Sequence, residues 1–363
     1  MKQIVFTVTN DLTYDQRMHR ICGSMATAGY KVLLIGRKLP ASLPLENKIF
    51  QQKRIRCIFK KGFLFYAEYN TRLFFYLLGK KTDAVCAIDL DTILPSLLVS
   101  KIRGLKRVYD AHEYFTELKE VRSNKNVKMV WEGIEKLGIP HFPFGYTVSQ
   151  GLADAFKKEY RKDYEVIRNM PVLSGEPLRS IKEKVLYYQG AVNEGRGFEY
   201  LIPAMKDIPY RLIVCGDGNF MNQLKELIRV HGVEEKVELK GMLVPSELRK
   251  FASGASLGMG LSESEGLNQF MALPNKFFDY MHSGLPQLAM NFPEYRKVND
   301  QYKVAVLADD LQPSNISRII NEIMQDENLL NEMHQNCLVA REIYCWQNEE
   351  AKLIEFYRNL FDE

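Results

Sequence analysis

The sequence predicts an α/β protein built from two doubly wound domains. Short β-rich apolar runs alternate with helical patterns along the whole chain of 363 residues. Helices of ~10–15 residues between strands are typical of parallel sheets that are covered on both faces. The alternation occurs twice, and the segment Asn169–Pro177, with two prolines and a glycine, breaks regular structure between the two sets. The length also favours two domains, which we expect over residues 1–170 and 171–343.

Each predicted strand is a short run rich in apolar residues, and each predicted helix is a longer helical pattern between two such runs. In the first half, strands are expected at Ile4–Val8, Val32–Ile35, Ala84–Ile88, Arg107–Tyr109 and Tyr146–Val148, with helices near Asp15–Ala28, Tyr66–Leu78, Thr92–Ile102 and Gln150–Tyr160. In the second half, strands are expected at Val185–Tyr188, Arg211–Val214, Val237–Leu239, Leu257–Leu261, Gln287–Met290 and Val304–Leu307. The helices of that half are expected near Phe198–Met205, Phe220–Val230, Pro245–Ser253, Asn275–His282 and Pro313–Gln325.

Composition excludes several classes of protein. Apolar residues make up 46% and charged residues 26%, which are ordinary globular values. The six cysteines include no C-x-x-C pair, so we expect neither a zinc cluster nor a disulfide framework, and a reducing cytosol fits best. The N-terminus turns polar by Asn10, so no signal peptide is expected. No run of ~18 apolar residues occurs, which predicts a cytoplasmic protein that is at most attached to a membrane surface.

Charge is divided unevenly between the two halves. Residues 1–170 carry 29 basic and 17 acidic side chains, whereas residues 171–363 carry 20 basic and 28 acidic ones. A basic half suggests an anionic partner, which could be a phosphorylated substrate, an anionic bilayer or nucleic acid. Dispersed basic residues without a binding motif disfavour nucleic acid. A chance excess of solvated lysines is the alternative explanation.

One stretch of the first half combines cations with aromatic residues. Basic residues between Lys53 and Lys61 precede Phe63–Tyr66, and a second aromatic run, Leu73–Leu77, is followed by Lys80. This pattern suits an interfacial helix that lies on an anionic bilayer. The alternative is that the aromatic residues belong to the core and the lysines are only solvated.

Polar residues follow the predicted strands of the first half, where open α/β sheets bind their ligands. Asp15 and Arg17 come soon after the first strand, and the absence of glycine between Met1 and Cys22 argues against a dinucleotide site. Asp91 follows another strand, where it or Thr92 could instead cap a helix. Asp110, His112, Glu113 and Glu117 follow the next strand, and a histidine among carboxylates can act as a general acid or base or donate to a substrate hydroxyl.

The second half contains glycine turns before helices. Gly190 follows a strand, and Arg196 lies in the glycine-rich turn that comes next, where backbone N–H groups can face a phosphate. Gly216 and Gly241 end the following two strands and allow a close approach to a ligand or form plain turns. Asn275 and Lys276 begin a predicted helix whose N-terminus is suited to binding a diphosphate. Asp279 lies one turn further, where its carboxylate could accept hydrogen bonds from ribose hydroxyls, and the alternative is a solvated surface acid.

The order of these motifs resembles the GT-B glycosyltransferases, and specifically glycosyltransferase family 4, over nearly the whole chain. The segments that carry the resemblance are YDAHEYFTE (109–117), VSQGLADAF (148–156), VIRNMP (166–171), YQGAVNEGRGFEYLIPAM (188–205), CGDG (215–218) and LPNKFFDYMHSGLP (273–286). The tail around Tyr344–Trp346, with the helix that follows, is similar to the family's last helix. In that fold this helix crosses back to the first domain, and Leu353, Tyr357 and Leu360 have the helical spacing that such docking requires.

The resemblance implies two Rossmann-like domains that face each other across a cleft. It implies a retaining sugar transfer from a nucleoside diphosphate donor, without a bound divalent metal or other cofactor, to a glycan or lipid-linked acceptor in surface polysaccharide or glycolipid assembly. The residues implied are His112, Asp110 and Glu113 for catalysis; Arg196, Lys276, Asn275 and Gly190 for the donor phosphates; Asp279, Gly216 and Gly241 for the ribose and base; and Asp15, Arg17, Asp91 and Glu117 for the acceptor.

Two motifs depart from the family pattern. Ala191 and Arg196 stand where the family has an arginine and a lysine around the phosphate turn. Met271 stands where the first of two glutamates is usual, Asp279 matches the second, and Glu265 lies too far upstream for that register. A GT-B relative that is an epimerase of sugar nucleotides, or a partner subunit that only binds them, is therefore the alternative function.

Overall fold

The computed structural model describes residues 1–13, 15–175, 183–264, 267–271 and 273–362. The chain divides into two compact units, each built around a parallel sheet. The first unit comprises Met1–Asn169, Gly266–Asn268 and Glu349–Glu363, and the second comprises Met170–Glu265 and Gln269–Asn348.

The first unit contains a seven-stranded sheet with the strand order β3-β2-β1-β4-β5-β6-β7. Its strands are β1 (Gln3–Asp11), β2 (Lys31–Lys38), β3 (Gln51–Arg56), β4 (Ala84–Ile88), β5 (Lys106–Ala111), β6 (Phe144–Thr147) and β7 (Glu165–Val166). Its helices are α1 (Gln16–Thr27), α2 (Gly62–Leu78), α3 (Ile93–Arg103), α4 (Lys119–Arg122), α5 (Lys125–Gly138) and α6 (Gln150–Tyr160), with short 3-10 turns at Leu90–Thr92, Phe115–Glu117 and Ile139–His141.

The second unit contains a six-stranded sheet with the order β10-β9-β8-β11-β12-β13. Its strands are β8 (Glu183–Gln189), β9 (Arg211–Cys215), β10 (Val237–Gly241), β11 (Ala255–Gly260), β12 (Gln287–Met290) and β13 (Ala305–Ala308). Its helices are α7 (Phe198–Ala204), α8 (Met221–His231), α9 (Pro245–Gly254), α10 (Leu267–Met271), α11 (Asn275–His282), α12 (Pro293–Tyr302), α13 (Pro313–Gln325) and α14 (Glu327–Ile343), with a 3-10 turn at Met205–Asp207. The chain ends with α15 (Trp346–Asp362).

Both sheets are doubly wound, as the alternation of elements predicts. The strand order reverses beside β1 and β4 in the first unit and beside β8 and β11 in the second. In open parallel sheets, the crevice at such a switch point is where ligands bind. The loops after these four strands are therefore the places to look for a site in each unit.

The C-terminal helix packs into the first unit, which confirms the prediction for this helix. Leu353, Tyr357 and Leu360 on α15 are buried, and the rings of Tyr357 and Phe6 lie edge to face with centroids 5.9 Å apart. Burying a side chain of this size stabilises a fold by roughly 1.5–3 kcal/mol relative to exposing it. The return of the chain to the first unit therefore rests on a buried apolar seam.

Several boundaries differ from the sequence prediction. Strand β1 continues through Asp11, and β5 includes Asp110, so these residues belong to strands and do not follow them. The edge strand β3 was not predicted because Ile55 is its single buried residue and the other five are polar. Strand β7 and helices α5, α12 and α14 were also not predicted. Among the described residues, no helix is long and apolar enough to cross a membrane.

Candidate active site

His112 is the first residue after β5, the strand next to β4 on one side of the switch point. Its Nε2 lies 3.1 Å from Oδ2 of Asp110, and its Nδ1 lies 3.6 Å from Oδ2 of Asp89. The imidazole is 20% exposed, so one part of the ring reaches solvent. Burial alone would lower the pKa of His112, but the Asp110 and Asp89 carboxylates outweigh it and raise that pKa. The two carboxylates therefore favour the protonated form of the imidazole.

Asp110 and Arg17 form an ion pair inside the first unit. The Arg17 guanidinium lies 2.9 Å from Oδ1 of Asp110, and the two side chains are 6% and 0% exposed. Burial would raise the pKa of Asp110, but Arg17 and His112 together lower it, so this carboxylate stays ionised. Both side chains are buried, and Asp110 contacts both Arg17 and His112, so this pair positions His112. The acceptor role of Arg17 and the catalytic role of Asp110 stay predictions.

Asp89 is a site residue that the sequence analysis did not select. It follows β4 and accepts a 2.8 Å hydrogen bond from the backbone N–H of His112. Its φ of 51° lies in the left-handed region, which is rare for a residue with a Cβ atom and is frequent at functional sites. Burial raises the pKa of Asp89 to about 7, although His112 opposes the shift. Asp89 therefore holds the backbone of His112 and also faces its ring.

Asp91 lies beside this group and does not cap a helix. Its Oδ2 accepts a 2.5 Å hydrogen bond from the Thr9 hydroxyl at the end of β1. Thr92 occupies the N-cap of α3 without a capping hydrogen bond, and its hydroxyl donates to the Thr7 carbonyl. Burial raises the pKa of Asp91 to about 6, against the hydrogen bond from Thr9. The acceptor-side role of Asp91 stays a prediction.

Asp15 has a structural explanation. Its Oδ1 accepts the Met18 backbone N–H at 3.1 Å, so it is the N-cap of α1, and its Oδ2 accepts from Asn10 at 3.1 Å. Both carboxylate oxygens are engaged within the protein. The helix cap explains this carboxylate without a substrate, and the acceptor contact of Asp15 stays a prediction.

We expect Asp15→Ala to lower the free energy of unfolding by about 1 kcal/mol, the usual value of an N-cap side chain. Sugar transfer by the folded variant should stay close to the wild-type rate. Chemical denaturation gives the first quantity and a transfer assay the second. A large loss of turnover without a loss of stability would return Asp15 to the acceptor site.

The two glutamates selected from the sequence differ in their surroundings. Glu113 is exposed next to His112. Glu117 lies in a 3-10 turn, where its Oε1 accepts from Lys128 at 2.9 Å and its Oε2 lies 3.6 Å from Arg122. Glu117 is therefore neutralised by neighbouring cations, and Glu113 is the better placed of the two for contact with a substrate.

In the second unit, a glycine turn joins β8 to α7 at the switch point. Gly190, Gly195 and Gly197 all have positive φ. Gly195 accepts a 3.0 Å hydrogen bond from Glu263 N–H, which brings the loops after β8 and β11 together. A Cβ atom on Gly197 would lie 2.9 Å from Cβ of Leu261, so only glycine fits there. The turn is thus built by contacts between two switch-point loops.

Gly216 is required by packing of the backbone. A Cβ atom at this position would lie 1.9 Å from the Gly190 carbonyl oxygen. The Gly216 N–H also donates to the carbonyl of Gly241 at 2.8 Å. The close approach that the sequence suggested for Gly216 is therefore explained by the neighbouring strand end. Gly190, Gly216 and Gly241 form one layer of backbone at adjacent strand ends.

Lys276 lies in the first turn of α11, and its cationic side chain is buried. Its side chain is 8% exposed, and its Nζ lies 4.2 Å from the centroid of the Tyr188 ring. This ammonium has no hydrogen-bond partner among the described residues. Burial, assisted by the charge of Arg196, lowers the pKa of Lys276 well below its ordinary value. Among the described residues, the Lys276 Nζ thus feels the positive charge of Arg196 and has no carboxylate as a hydrogen-bond partner.

The other residues of α11 lie close to this pair in sequence. Asn275 is the exposed first residue of the helix. Asp279 is half-buried, and its Oδ2 accepts a 2.8 Å hydrogen bond from the amide of Gln189 at the end of β8. Gln189 was not selected from the sequence, where it lies inside an apolar run. Asp279 is held next to the glycine turn, and its contact with a ribose stays a prediction.

Glu265 and Met271 are the two other residues that the sequence analysis compared with the glutamate pattern of the family. Glu265 lies outside the described residues. Met271 is the last residue of α10 and is half-buried. No group of three or more His, Cys, Asp or Glu side chains in the described part of the chain is arranged to hold a metal ion.

Comparisons with known proteins agree with the fold of the chain. Residues 174–337 match the family model described as glycosyl transferases group 1. The sucrose-phosphate synthase of Thermosynechococcus elongatus has a similar structure, with a TM-score of 0.82, 13% identity and 100% of both chains covered. HepE of Anabaena, in complex with UDP and glucose, has a TM-score of 0.79 and 13% identity, over 99% of this chain and 100% of the other. A search among curated protein sequences finds no match.

A third similar structure is WaaG, a glycosyltransferase involved in lipopolysaccharide biosynthesis, with a TM-score of 0.75, 15% identity and coverage of 97% of this chain and 98% of the other. These structures share the GT-B fold over the whole chain. The fold and the matched segment define the class of protein as a glycosyltransferase. The segment that matches the group 1 glycosyl transferase model, residues 174–337, includes Arg196, Lys276 and Asp279.

Proposed function

We propose that the protein transfers a sugar from a nucleoside diphosphate to a glycan or lipid-linked acceptor, with retention of anomeric configuration and without a bound divalent metal. The biosynthesis of surface polysaccharide or glycolipid is the proposed setting. HepE was solved with UDP and glucose, and WaaG takes part in lipopolysaccharide biosynthesis. These neighbours support a UDP-sugar as the first donor to test, and a lipid-carried acceptor as the first acceptor.

The observation that carries the proposal is the buried ammonium of Lys276 next to Arg196. Burying a charged group without a partner costs several kcal/mol, and a protein retains such a group where a ligand supplies the partner. A diphosphate supplies two phosphates with acceptor oxygens, which suit an ammonium and a forked guanidinium. The glycine turn at Gly190–Gly197 adds backbone with positive φ beside them.

The same two cations support departure of the diphosphate. Negative charge develops on the leaving group as the bond to the sugar breaks. Fixed positive groups in a low-dielectric site stabilise that charge, and such electrostatic stabilisation is often the largest catalytic contribution. Arg196 and Lys276 would in this way supply the charge that a divalent cation supplies in other transferases.

In the first unit, we propose that His112 contacts the transferred sugar as an imidazolium. Asp110, itself fixed by Arg17, and Asp89 lie on either side of the ring. A positioned donor of this kind acts on a sugar hydroxyl or on charge that develops during transfer. An acceptor carried on a lipid would also require a membrane surface, so we propose peripheral attachment on the cytoplasmic side.

The direct test is a thermal-shift screen with UDP-, GDP- and ADP-sugars, followed by product analysis. A donor that binds the native state raises the unfolding midpoint through mass action. We expect one nucleotide to raise it selectively, and the product to keep the donor's anomeric configuration in a chelator. No shift with any nucleotide sugar would contradict the proposal, and inversion or loss of activity in the chelator would contradict its finer parts.

The acid–base groups of the first unit favour one alternative, an epimerase of sugar nucleotides. Burial raises the pKa of Asp89 to about 7 and that of Asp91 to about 6, and both carboxyls interact electrostatically with His112 in the folded chain. Groups that titrate near neutrality can move protons to and from a sugar carbon. An epimerase would convert the donor sugar without any acceptor, whereas a transferase would leave its ring stereochemistry unchanged.

We expect Arg196→Ala to weaken nucleoside diphosphate binding by about 1.5–3 kcal/mol, the scale of a hydrogen bond to a charged group. Arg196 is only partly buried, so the fold should tolerate the change. Calorimetric titration with the diphosphate measures the loss. Lys225→Ala, at an exposed position of α8, is the matched control and should bind as the wild type does. Equal affinity in both variants would remove Arg196 from the phosphate site.

A further inference from the structure

The outer edge of the first sheet carries a basic cavity. Strand β3 is the edge strand, and next to it lies a cavity of about 550 Å³ that is lined by Lys38, Lys53, Arg54 and Arg56. Arg54 lies 2.8 Å from Asp11, so its charge is balanced, whereas the other three cations are exposed. Three solvent-facing cations around one cavity form a local site of positive potential.

An apolar tip continues directly from this edge. Ile58, Phe59, Phe63 and Leu64 follow β3 and open α2, and they are 77%, 44%, 73% and 53% exposed. Exposed Lys60 and Lys61 lie between them in sequence. Large apolar side chains that stand together in solvent mark an interaction surface. We call these four apolar residues the apolar tip.

The loop that bears the tip is held in place by Glu68. The backbone N–H groups of Ile58 and Phe59 donate to Oε2 of Glu68 at 2.8 and 3.0 Å, and Arg72 pairs with the same carboxylate. These backbone hydrogen bonds lower the pKa of Glu68. The exposed side chains therefore stand on a fixed loop, because a carboxylate of α2 binds the backbone beneath them.

The remainder of α2 packs in the core. The membrane-binding surface that the sequence suggested for the whole helix is therefore limited to its start. Phe65, Tyr69, Leu73 and Leu77 are buried against β1, β2 and β4. The aromatic run at 73–77 is therefore mainly structural, and Phe75 is its exposed exception at 66%. The sequence interpretation of the whole stretch as an interfacial helix is corrected to its first turn and the preceding loop.

Charge is concentrated in the same part of the chain. Residues 38–81 carry ten basic side chains and only two acidic ones, Glu46 and Glu68. Glu46 pairs with Lys48, and Glu68 is occupied by Arg72 and the backbone. Cations beside exposed aliphatic and aromatic side chains are the combination that binds an anionic lipid interface.

We propose that the apolar tip inserts into the interface of an anionic bilayer while the cavity beside β3 binds a lipid phosphate. This deepens the peripheral attachment stated under the proposed function and names its surface. Neutral lipids would satisfy the apolar tip but leave Lys38, Lys53 and Arg56 without counter-charges. The apolar tip begins at Ile58, two residues after Arg56 of the cavity. The tip and the cavity are therefore adjacent in the chain, and both would bind the same bilayer.

The test is co-sedimentation of the full chain with vesicles of phosphatidylcholine and increasing phosphatidylglycerol. We expect binding to rise with the anionic fraction and to fall with salt. Lys53→Gln/Arg56→Gln should bind about 30-fold more weakly, since each cation near an anionic surface contributes about fivefold. Ile58→Ser/Phe63→Ser should lose binding even at low salt. Lys225→Gln/Lys250→Gln and Val230→Ser, at exposed positions of the second unit, are the matched controls.

All four substituted positions in the test variants are exposed, so the variants should fold, and unchanged unfolding midpoints check this. A wild type that stays in the supernatant with anionic vesicles, or test variants that bind as the controls do, would overturn the proposal. A wild-type dimer that Ile58→Ser/Phe63→Ser dissociates would assign the tip to a second copy and also overturn it. The donor-induced thermal shift is read separately, so either result leaves the transferase proposal to its own test.

Discussion

Lys276→Met is expected to abolish measurable sugar transfer and to weaken nucleoside diphosphate binding by roughly 2–5 kcal/mol, the cost of truncating one partner of a buried charge pair. The same change should leave the unliganded protein at least as stable as the wild type. Lys276 is buried without a hydrogen-bond partner among the described residues, and methionine keeps its length without its charge. Removing an unpaired buried charge relieves a desolvation cost, so loss of function and retained stability should occur together.

Thermal unfolding and a transfer assay measure the two effects. Lys236→Met is an instructive control, because its Nζ donates to the carbonyls of Met205, Lys206 and Ile208. That variant should lose stability, whereas its affinity for the diphosphate should be unchanged. A destabilised Lys276→Met would instead show that Lys276 is a structural cation.

The lowered pKa of Lys276 makes both the stability of the folded protein and the binding of the diphosphate depend on pH. Its folded pKa lies well below its ordinary value, through burial and the charge of Arg196. The unfolded chain therefore binds a proton that the folded chain lacks between the lowered pKa and the unfolded pKa of about 10.4, and stability rises with pH across that window. The diphosphate favours the protonated lysine, so its binding should take up a proton within the same pH window.

His112→Ala should lower kcat at least ~100-fold, the lower range for a positioned acid or base, with a much smaller change in donor affinity. His112 lies within hydrogen-bond distance of Asp110 and faces Asp89, so the protein fixes its ring before any substrate arrives. A contact that strengthens only in the transition state appears in kcat. Steady-state kinetics with the donor varied separates the two quantities.

His112→Gln keeps a polar side chain but no titratable charge, and it should be nearly as inactive. If His112→Ala unfolds, the glutamine variant provides the test, and full activity in a folded glutamine variant would contradict the assignment. The pKa of His112 is raised, so the stabilisation by its two carboxylates is complete below the unfolded pKa of about 6.5 and is lost as pH rises through the folded pKa. Activity that depends on the imidazolium should decline in the same direction.

The extent to which the fold could be predicted follows from how each strand is buried. Strands covered on both faces, such as Ala84–Ile88, are apolar at every position and are visible in the sequence. Strand β3 lies at the sheet edge with one buried residue, so QQKRIR shows no apolar run. Helix α5 contains charged residues throughout, and its apolar side is short. Local pattern therefore located the inner strands and missed an edge strand.

The candidate site was predictable where the sequence carries a motif and not where it depends on long-range pairing. His112 and Lys276 stand in recognisable segments at strand and helix ends. Arg17 meets Asp110 across 93 residues of sequence, and nothing local distinguishes it from a solvated arginine. Asp89 owes its role to an unusual φ and to a contact with His112, which follows the neighbouring strand β5 and lies 23 residues further along the chain. Burial and pairing decide these roles, and both require the folded chain.

The central claim is that Lys276 and Arg196 hold the diphosphate of the donor. Calorimetric titration of the wild type and Lys276→Met, each with the preferred nucleoside diphosphate and with the matching nucleoside, tests it most directly. We expect Lys276→Met to bind the diphosphate far more weakly than the wild type does, while both proteins bind the nucleoside with similar affinity. Equal affinity of the two proteins for the diphosphate would contradict it.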